Sequence, residues 1–186
     1  MQSSSGTYAL LLRCSGPRRL DIGCLGTLIA RQGVYVYIGS AFGPGGLSAR
    51  VGHHRKVSAR PRWHVDYLRS VTELQRCWYT SDPQCREHEW AAVLRELPGA
   101  SIPVPGFGSS DCSCPSHLFY FPSTPSVRTF RHRLAVRYPG HQEVRVERVP
   151  TQQGPVKVPA SNSLEQTGDS APEVRDIRGV GSQKDP

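Results

Sequence analysis

The stretch GVYVYIGSAFGPGGLSARVGHHRK, residues 33–56, sets the fold. From Val34 to Ile38, β-branched and aromatic residues alternate, with Tyr35 and Tyr37 on one face and Val34, Val36 and Ile38 on the other. That period of two predicts a strand. Gly39 to Gly46 is a glycine-rich loop. From Leu47 to His54 the chain predicts a short helix, with Leu47, Arg50, Val51 and His54 sharing a face at helical spacing.

A strand, a glycine loop and a helix in that order raise the question of a phosphate cradle. A P-loop needs a lysine directly after its last glycine, reaching the terminal phosphates. Here Leu47 follows Gly46, and the loop holds no lysine. The flanking chain is not a βαβ repeat, so the dinucleotide fingerprint fails as well. The glycines read instead as turn residues that admit positive φ, and no nucleotide cofactor is expected.

Working outward, TYALLLR (7–13) predicts a buried strand and Ser15-Gly16-Pro17 a turn. Residues 20–30 read as one short bent strand broken by Gly23 and Gly26. Helix is expected over 63–70 and strand over 71–79, with Leu74 and Trp78 inward. Ser81-Asp82-Pro83 opens a helix over 84–97, whose apolar stripe is Trp90, Val93, Leu94 and Leu97. Residues 101–107 and 117–121 read as short strands around a Gly/Ser/Cys loop.

The organisation expected is a domain over 1–122, a basic extension over 123–150 with one extra element, and a polar tail over 151–186. That tail holds too few apolar residues to offset its ordering entropy, so disorder is its default. No apolar run of about 18 residues predicts a membrane span. MQSSS is no signal peptide, which points to the cytoplasm and to cysteines kept as thiols.

The net charge of +8 favours polyanionic partners. Arg50, His53, His54, Arg55, Lys56, Arg60 and Arg62 fall within thirteen residues with no acid among them, a candidate surface for a phosphate backbone.

Gly6-Thr7-Tyr8 opens the first strand and Tyr37-Ile38-Gly39 closes a later one. Arg50 and His54 follow on the next helix. In these residues the chain resembles the GIY-YIG nuclease superfamily. YVYIGSAFGPGGL, WHVDYL and VPGFGSSDCSCPSHLFYF look like the signatures of its Uri-type branch of small prokaryotic proteins. The resemblance covers about residues 6–121.

The resemblance implies an α/β (α+β) domain with a small central three-stranded antiparallel sheet flanked by helices. It also implies hydrolysis of DNA phosphodiesters with Mg²⁺ or Mn²⁺. Such a reaction needs an oriented water, a cation over the scissile phosphate and help for the leaving oxygen. Tyr8 and Tyr37 suit positioning the water or taking its proton. Arg50 suits gripping a phosphate oxygen, and His54 a proton shuttle or phosphate contact.

The resemblance also places a glutamate on a later helix, and a carboxylate suits a hard cation. Glu87 and Glu89 are the candidates, with Glu87 favoured because it shares the face of Trp90 and Leu94. Gly39 and Asp66 are supporting candidates, Asp66 as a helix cap or an acceptor behind the site. Many members carry a late asparagine, whereas the one asparagine here is Asn162 in the tail. Ser109, Asp111 and His117 are the candidates to stand in for it.

Two other readings compete with the endonuclease. One is a nucleic-acid-binding module without turnover. The other is a metal-binding regulator using Cys112, Cys114 and His117, a C-x-C-x-x-H spacing with no evident fourth ligand.

Overall fold

The run TYALLLRC forms β1 (Thr7–Cys14), apolar on both faces. A strand of that kind belongs at the centre of a sheet covered on both sides. In the computed structural model, which describes residues 3–150, it lies there. The elements that follow are β2 (Arg18–Asp21), a 3-10 turn over Gly23–Leu25, β3 (Thr27–Ala30), β4 (Gly33–Ser40), α1 (Gly46–Arg55) and α2 (His64–Arg69). Then come β5 (Glu73–Thr80), α3 (Glu87–Arg95), β6 (Leu118–Phe121), α4 (Val127–Arg137) and β7 (Arg145–Arg148). The tail expected to be disordered, residues 151–186, lies outside the described residues.

The main sheet has five strands in the order β6-β4-β1-β5-β7, all antiparallel, not the three expected. The reason is edge pairing. A sheet of β4, β1 and β5 alone would leave the backbone groups of two long strands unpaired. β6 pairs β4 from Val34↔Phe121 to Tyr37↔Leu118, and β7 pairs β5 from Arg76↔Arg148 to Tyr79↔Arg145.

Both faces of the sheet are buried. On one side Tyr8, Leu10, Leu12, Tyr35 and Cys77 pack with Leu47 and Val51 of α1, Val65 and Leu68 of α2, and Leu20 and Leu28 of the β2–β3 hairpin. On the other, Ala9, Leu11, Val36, Ile38 and Trp78 meet Trp90, Val93 and Leu94 of α3 and Phe130 and Leu134 of α4. The alternation along β4 thus sorts its tyrosines and its aliphatic residues onto opposite faces.

Three sequence expectations change. Residues 18–30 form a hairpin rather than one bent strand, turning through Gly23 and Gly26 at positive φ. Residues 101–107 form no strand; Ser101 makes a single bridge to Tyr120. Residues 123–150 supply two elements, α4 and β7, not one. Among the described residues, no helix is long and apolar enough to cross a membrane.

Candidate functional site

The register of β1 on β4 sets Tyr8 opposite Gly39. The Tyr8 side chain lies over that glycine: a Cβ at position 39 would stand 2.5 Å from the Tyr8 hydroxyl. Gly39 is therefore required by space.

The start of α1 is anchored to the chain just before β1. Leu47 N–H donates to the Ser4 carbonyl at 2.9 Å. Gly46 sits at φ +54°, and a Cβ there would come within 2.4 Å of the same carbonyl oxygen. With its first turn fixed, α1 delivers His54 two turns later onto Tyr8, the hydroxyl lying 3.0 Å from His54 Nε2.

Behind His54 is Asp66, buried on α2. Its Oδ2 accepts from the backbone N–H groups of Arg62 at 3.0 Å and Trp63 at 3.1 Å, capping the helix. Its Oδ1 lies 3.3 Å from His53 Nε2 and 3.6 Å from His54 Nδ1. At that distance His54 Nδ1 makes no hydrogen bond, and the carboxylate beside it favours the tautomer with the proton on Nδ1, which leaves Nε2 to accept from Tyr8.

Burial pulls the His54 pKa down to about 4, only partly offset by Asp66, so the ring is neutral at neutral pH. Burial also acts to raise Asp66, but the Arg62 and Trp63 N–H groups and the two histidines outweigh it and hold the carboxyl below its ordinary value. Burial raises both Tyr8 and Tyr37, so neither is a phenolate at neutral pH. The negative charge of Glu87 raises both further, and the positive charge of Arg50 lowers both. The field of one acid and one arginine therefore falls on both tyrosines.

Glu87 sits half-buried in the first turn of α3. That turn is tied to β1, where Thr7 Oγ1 accepts from Arg86 N–H at 2.9 Å. Arg86 in turn pairs with buried Asp82 at 2.9 Å and with Glu89 at 3.0 Å. Glu89 is thus committed to an ion pair, whereas a Glu87 oxygen meets the Cys85 thiol at 3.6 Å. Sequence reasoning missed Thr7 and Asp82. Thr7 occupies the variable middle place of its triplet, and Asp82 read only as a helix start.

Arg50 is half-buried with its guanidinium 4.6 Å from the Trp63 ring centre, and Arg62 approaches the same ring at 5.6 Å. Arg50, His53 and Trp63 wall a cleft of about 220 Å³ against the 41–46 loop. Tyr8, Tyr37 and Glu87 do not line it.

A family model described as a domain of unknown function, DUF123, matches residues 7–137. The chain belongs to the DUF123 family. No curated protein and no solved structure matches the chain. The family match spans β1 to α4, so it contains Tyr8, Tyr37, Arg50, His54, Asp66 and Glu87.

Elsewhere on the DUF123 domain the basic candidates divide. Arg55 forms an ion pair with Glu147 of β7, while Lys56, Arg60 and Arg62 are exposed. The loop before β6 closes over Tyr37. His117 N–H donates to the Phe107 carbonyl at 2.8 Å, and Ile38 N–H donates to the His117 carbonyl at 2.9 Å. Gly108, at φ +69°, packs so tightly that a Cβ would lie 2.8 Å from the Tyr37 ring. In this loop Ser109 Oγ is buried with no hydrogen-bond partner. Asp111 is exposed, yet its charge acts on Tyr37 and His117. Burial lowers His117, partly offset by Glu87.

Proposed function

We propose that this domain is a GIY-YIG-type endonuclease of the Uri-type branch, hydrolysing phosphodiester bonds of DNA. The observation that carries the reading is the buried file Tyr8–His54–Asp66, with Arg50 and Glu87 acting on both tyrosine hydroxyls.

The protonated Tyr8 hydroxyl donates to His54 and uses its own oxygen to orient the attacking water. As the water attacks phosphorus, its proton passes to the Tyr8 oxygen and the Tyr8 proton to His54 Nε2. Asp66 then steadies the imidazolium that forms, so the phenol never has to exist as a free phenolate. Tyr37 orients the same water through its hydroxyl. The planar Arg50 fork, held over the Trp63 ring, grips a non-bridging phosphate oxygen.

Glu87 is a fitting cation ligand. It is a half-buried carboxylate outside the Arg86 ion-pair network, and Mg²⁺ takes one or two carboxylates plus waters and phosphate oxygens. Bound there, Mg²⁺ or Mn²⁺ would supply neutralisation of the phosphate charge and acidification of water.

The test is nicking of supercoiled plasmid and cleavage of single-stranded oligonucleotides with Mg²⁺ or Mn²⁺. Wild type cleaves, and Glu87→Gln and Arg50→Ala each lose on the order of 100-fold or more. Cleavage that survives both substitutions overturns the assignment.

The exposed Lys56, Arg60 and Arg62 favour a second reading, a nucleic-acid-binding module without turnover. Tight, salt-dependent binding with no metal-stimulated cleavage selects it.

A further inference from the structure

Cys112, Cys114 and His117 offer three soft or borderline ligands from one short loop, and their spacing shows no fourth. Folding supplies it. His88, exposed on the first turn of α3, brings an imidazole to the same point. One ligand atom from each of His88, Cys112, Cys114 and His117 lies within 4.8 Å of all the others. Cys112 Sγ stands 3.5 Å from His117 Nε2. That is an ordinary length for a thiol–imidazole hydrogen bond and also close to the edge of a tetrahedral site, where zinc–sulfur and zinc–nitrogen bonds of about 2.3 and 2.1 Å set sulfur and nitrogen roughly 3.6 Å apart.

We propose that His88, Cys112, Cys114 and His117 form a zinc site. Two thiolates and two imidazoles are the donor set of a closed, tetrahedral structural centre, and they discriminate against Mg²⁺ and Ca²⁺, which take oxygen ligands. The charges balance: each thiol gives up its proton on binding, and two thiolates neutralise the dication. A cavity of about 130 Å³ bordered by His88 and Cys114 gives the ion a way in.

The site joins two segments far apart in sequence, α3 and the loop before β6. That loop packs Gly108 against Tyr37 and holds Ile38 through the His117 carbonyl. Zinc here staples the wall of the tyrosine site to the helix that carries Glu87. The proposal does not rest on the endonuclease reading, since a binding module would need the same staple.

The test measures metal content of the full chain, purified from zinc-supplemented medium under reducing conditions. About one zinc per chain is expected. Cobalt(II) exchanged into the protein should show a thiolate-to-metal charge-transfer band and the intense visible bands of a tetrahedral ion. His88→Ala removes a ligand at an exposed position and should weaken retention by on the order of tenfold or more, with loss of the tetrahedral cobalt spectrum. Cys112→Ser combined with Cys114→Ser should abolish both. A chelator should lower the melting temperature of wild type and leave that of the double variant unmoved.

Three results overturn the proposal. The first is a reduced, folded chain that neither retains zinc nor shifts its melting temperature with zinc or chelator. The second is full zinc content in the double cysteine variant. The third is a Cys112–Cys114 disulfide in the chain as purified. If the double variant fails to fold, His88→Ala and the wild-type cobalt spectrum still decide. Metal content and cobalt spectra are independent of DNA cleavage, so this proposal and the endonuclease reading can fail separately.

Discussion

The Tyr8 hydroxyl and His54 Nε2 stand 3.0 Å apart, and both side chains are about 2% exposed. Water does not compete for this bond, so each partner depends on the other. Tyr8→Phe should leave Nε2 buried without a partner, at a cost of about 1–3 kcal/mol, and lower DNA cleavage by about 10²–10⁴-fold. His54→Gln keeps a partner for the hydroxyl but cannot take up its proton. It should lose a similar factor in cleavage and much less stability. Chemical denaturation and plasmid nicking check both, and a Tyr8→Phe protein with undiminished melting and cleavage would remove the file from the site.

The same burial gives the domain an acid limb. In the unfolded chain His54 titrates near 6.5, and in the folded domain near 4, so the unfolded state binds more protons between those values. Stability that is complete above the unfolded value should fall as pH drops through this window, by up to about 1.4 kcal/mol per pH unit. Asp66, His53, Arg50 and Arg69 are the charged groups acting on His54, and only Asp66 favours its protonation. Asp66, itself held below its ordinary value, adds a loss at still lower pH. His54→Gln should therefore flatten the limb. Denaturant midpoints across the window would show it, and unchanged steepness in His54→Gln would contradict it.

Gly39 is the steric partner of Tyr8. Gly39→Ala should push the phenol off its strand, cost about 1–3 kcal/mol and lengthen the Tyr8–His54 bond. The histidine ring resonances report the bond directly. A variant that melts like wild type with those resonances unmoved would show that the strands have room for a Cβ.

What the sequence revealed tracks how local each signal is. The alternation of β4 and the apolar run of β1 were legible because their periods lie within a few residues. α4 carries only Phe130 and Leu134 as buried residues among arginines, and all but one of the β7 side chains are exposed, so neither announced itself. The two tyrosines were legible from their triplets. The sequence offers Asp66 as a helix cap or an acceptor behind the site, but neither its pairing with His54 nor His88 beside Cys114 was legible, because each meets its partner only after separate elements pack on the sheet. His88 adjoins the favoured Glu87, and a fourth histidine or cysteine to complete the C-x-C-x-x-H loop was the signal to pursue.

Arg50 leans on Trp63, and the two should differ in how they fail. With Arg50 in the proposed role of a phosphate contact, Arg50→Ala should reduce the dependence of DNA binding on salt concentration by about one unit of slope. Trp63→Ala leaves the charge but frees the guanidinium. It should keep the slope and weaken binding by about 0.5–1 kcal/mol, the size of an exposed cation–π contact. Fluorescence anisotropy titrations at several salt concentrations separate the two, and equal slopes for wild type and Arg50→Ala would place Arg50 away from the phosphates.

The basic segment after Pro122 should prove part of the folding unit. Phe130 of α4 is fully buried and stacks on Trp78 of β5 at 5.1 Å while meeting Trp90 of α3 edge-on at 5.1 Å. It joins the outer strand pair to the helix that carries Glu87. Phe130→Ala should cost about 3–5 kcal/mol, a large share of the stability of a domain this size. Tryptophan fluorescence should follow the same transition as circular dichroism, because two of the three tryptophans, Trp78 and Trp90, pack against Phe130. Ending the chain after Pro122 would also strip β7 from β5 and expose Trp78. The truncated chain should therefore lose cooperative melting. A sharp transition near the full-length midpoint would instead make α4 and β7 accessories to a smaller fold.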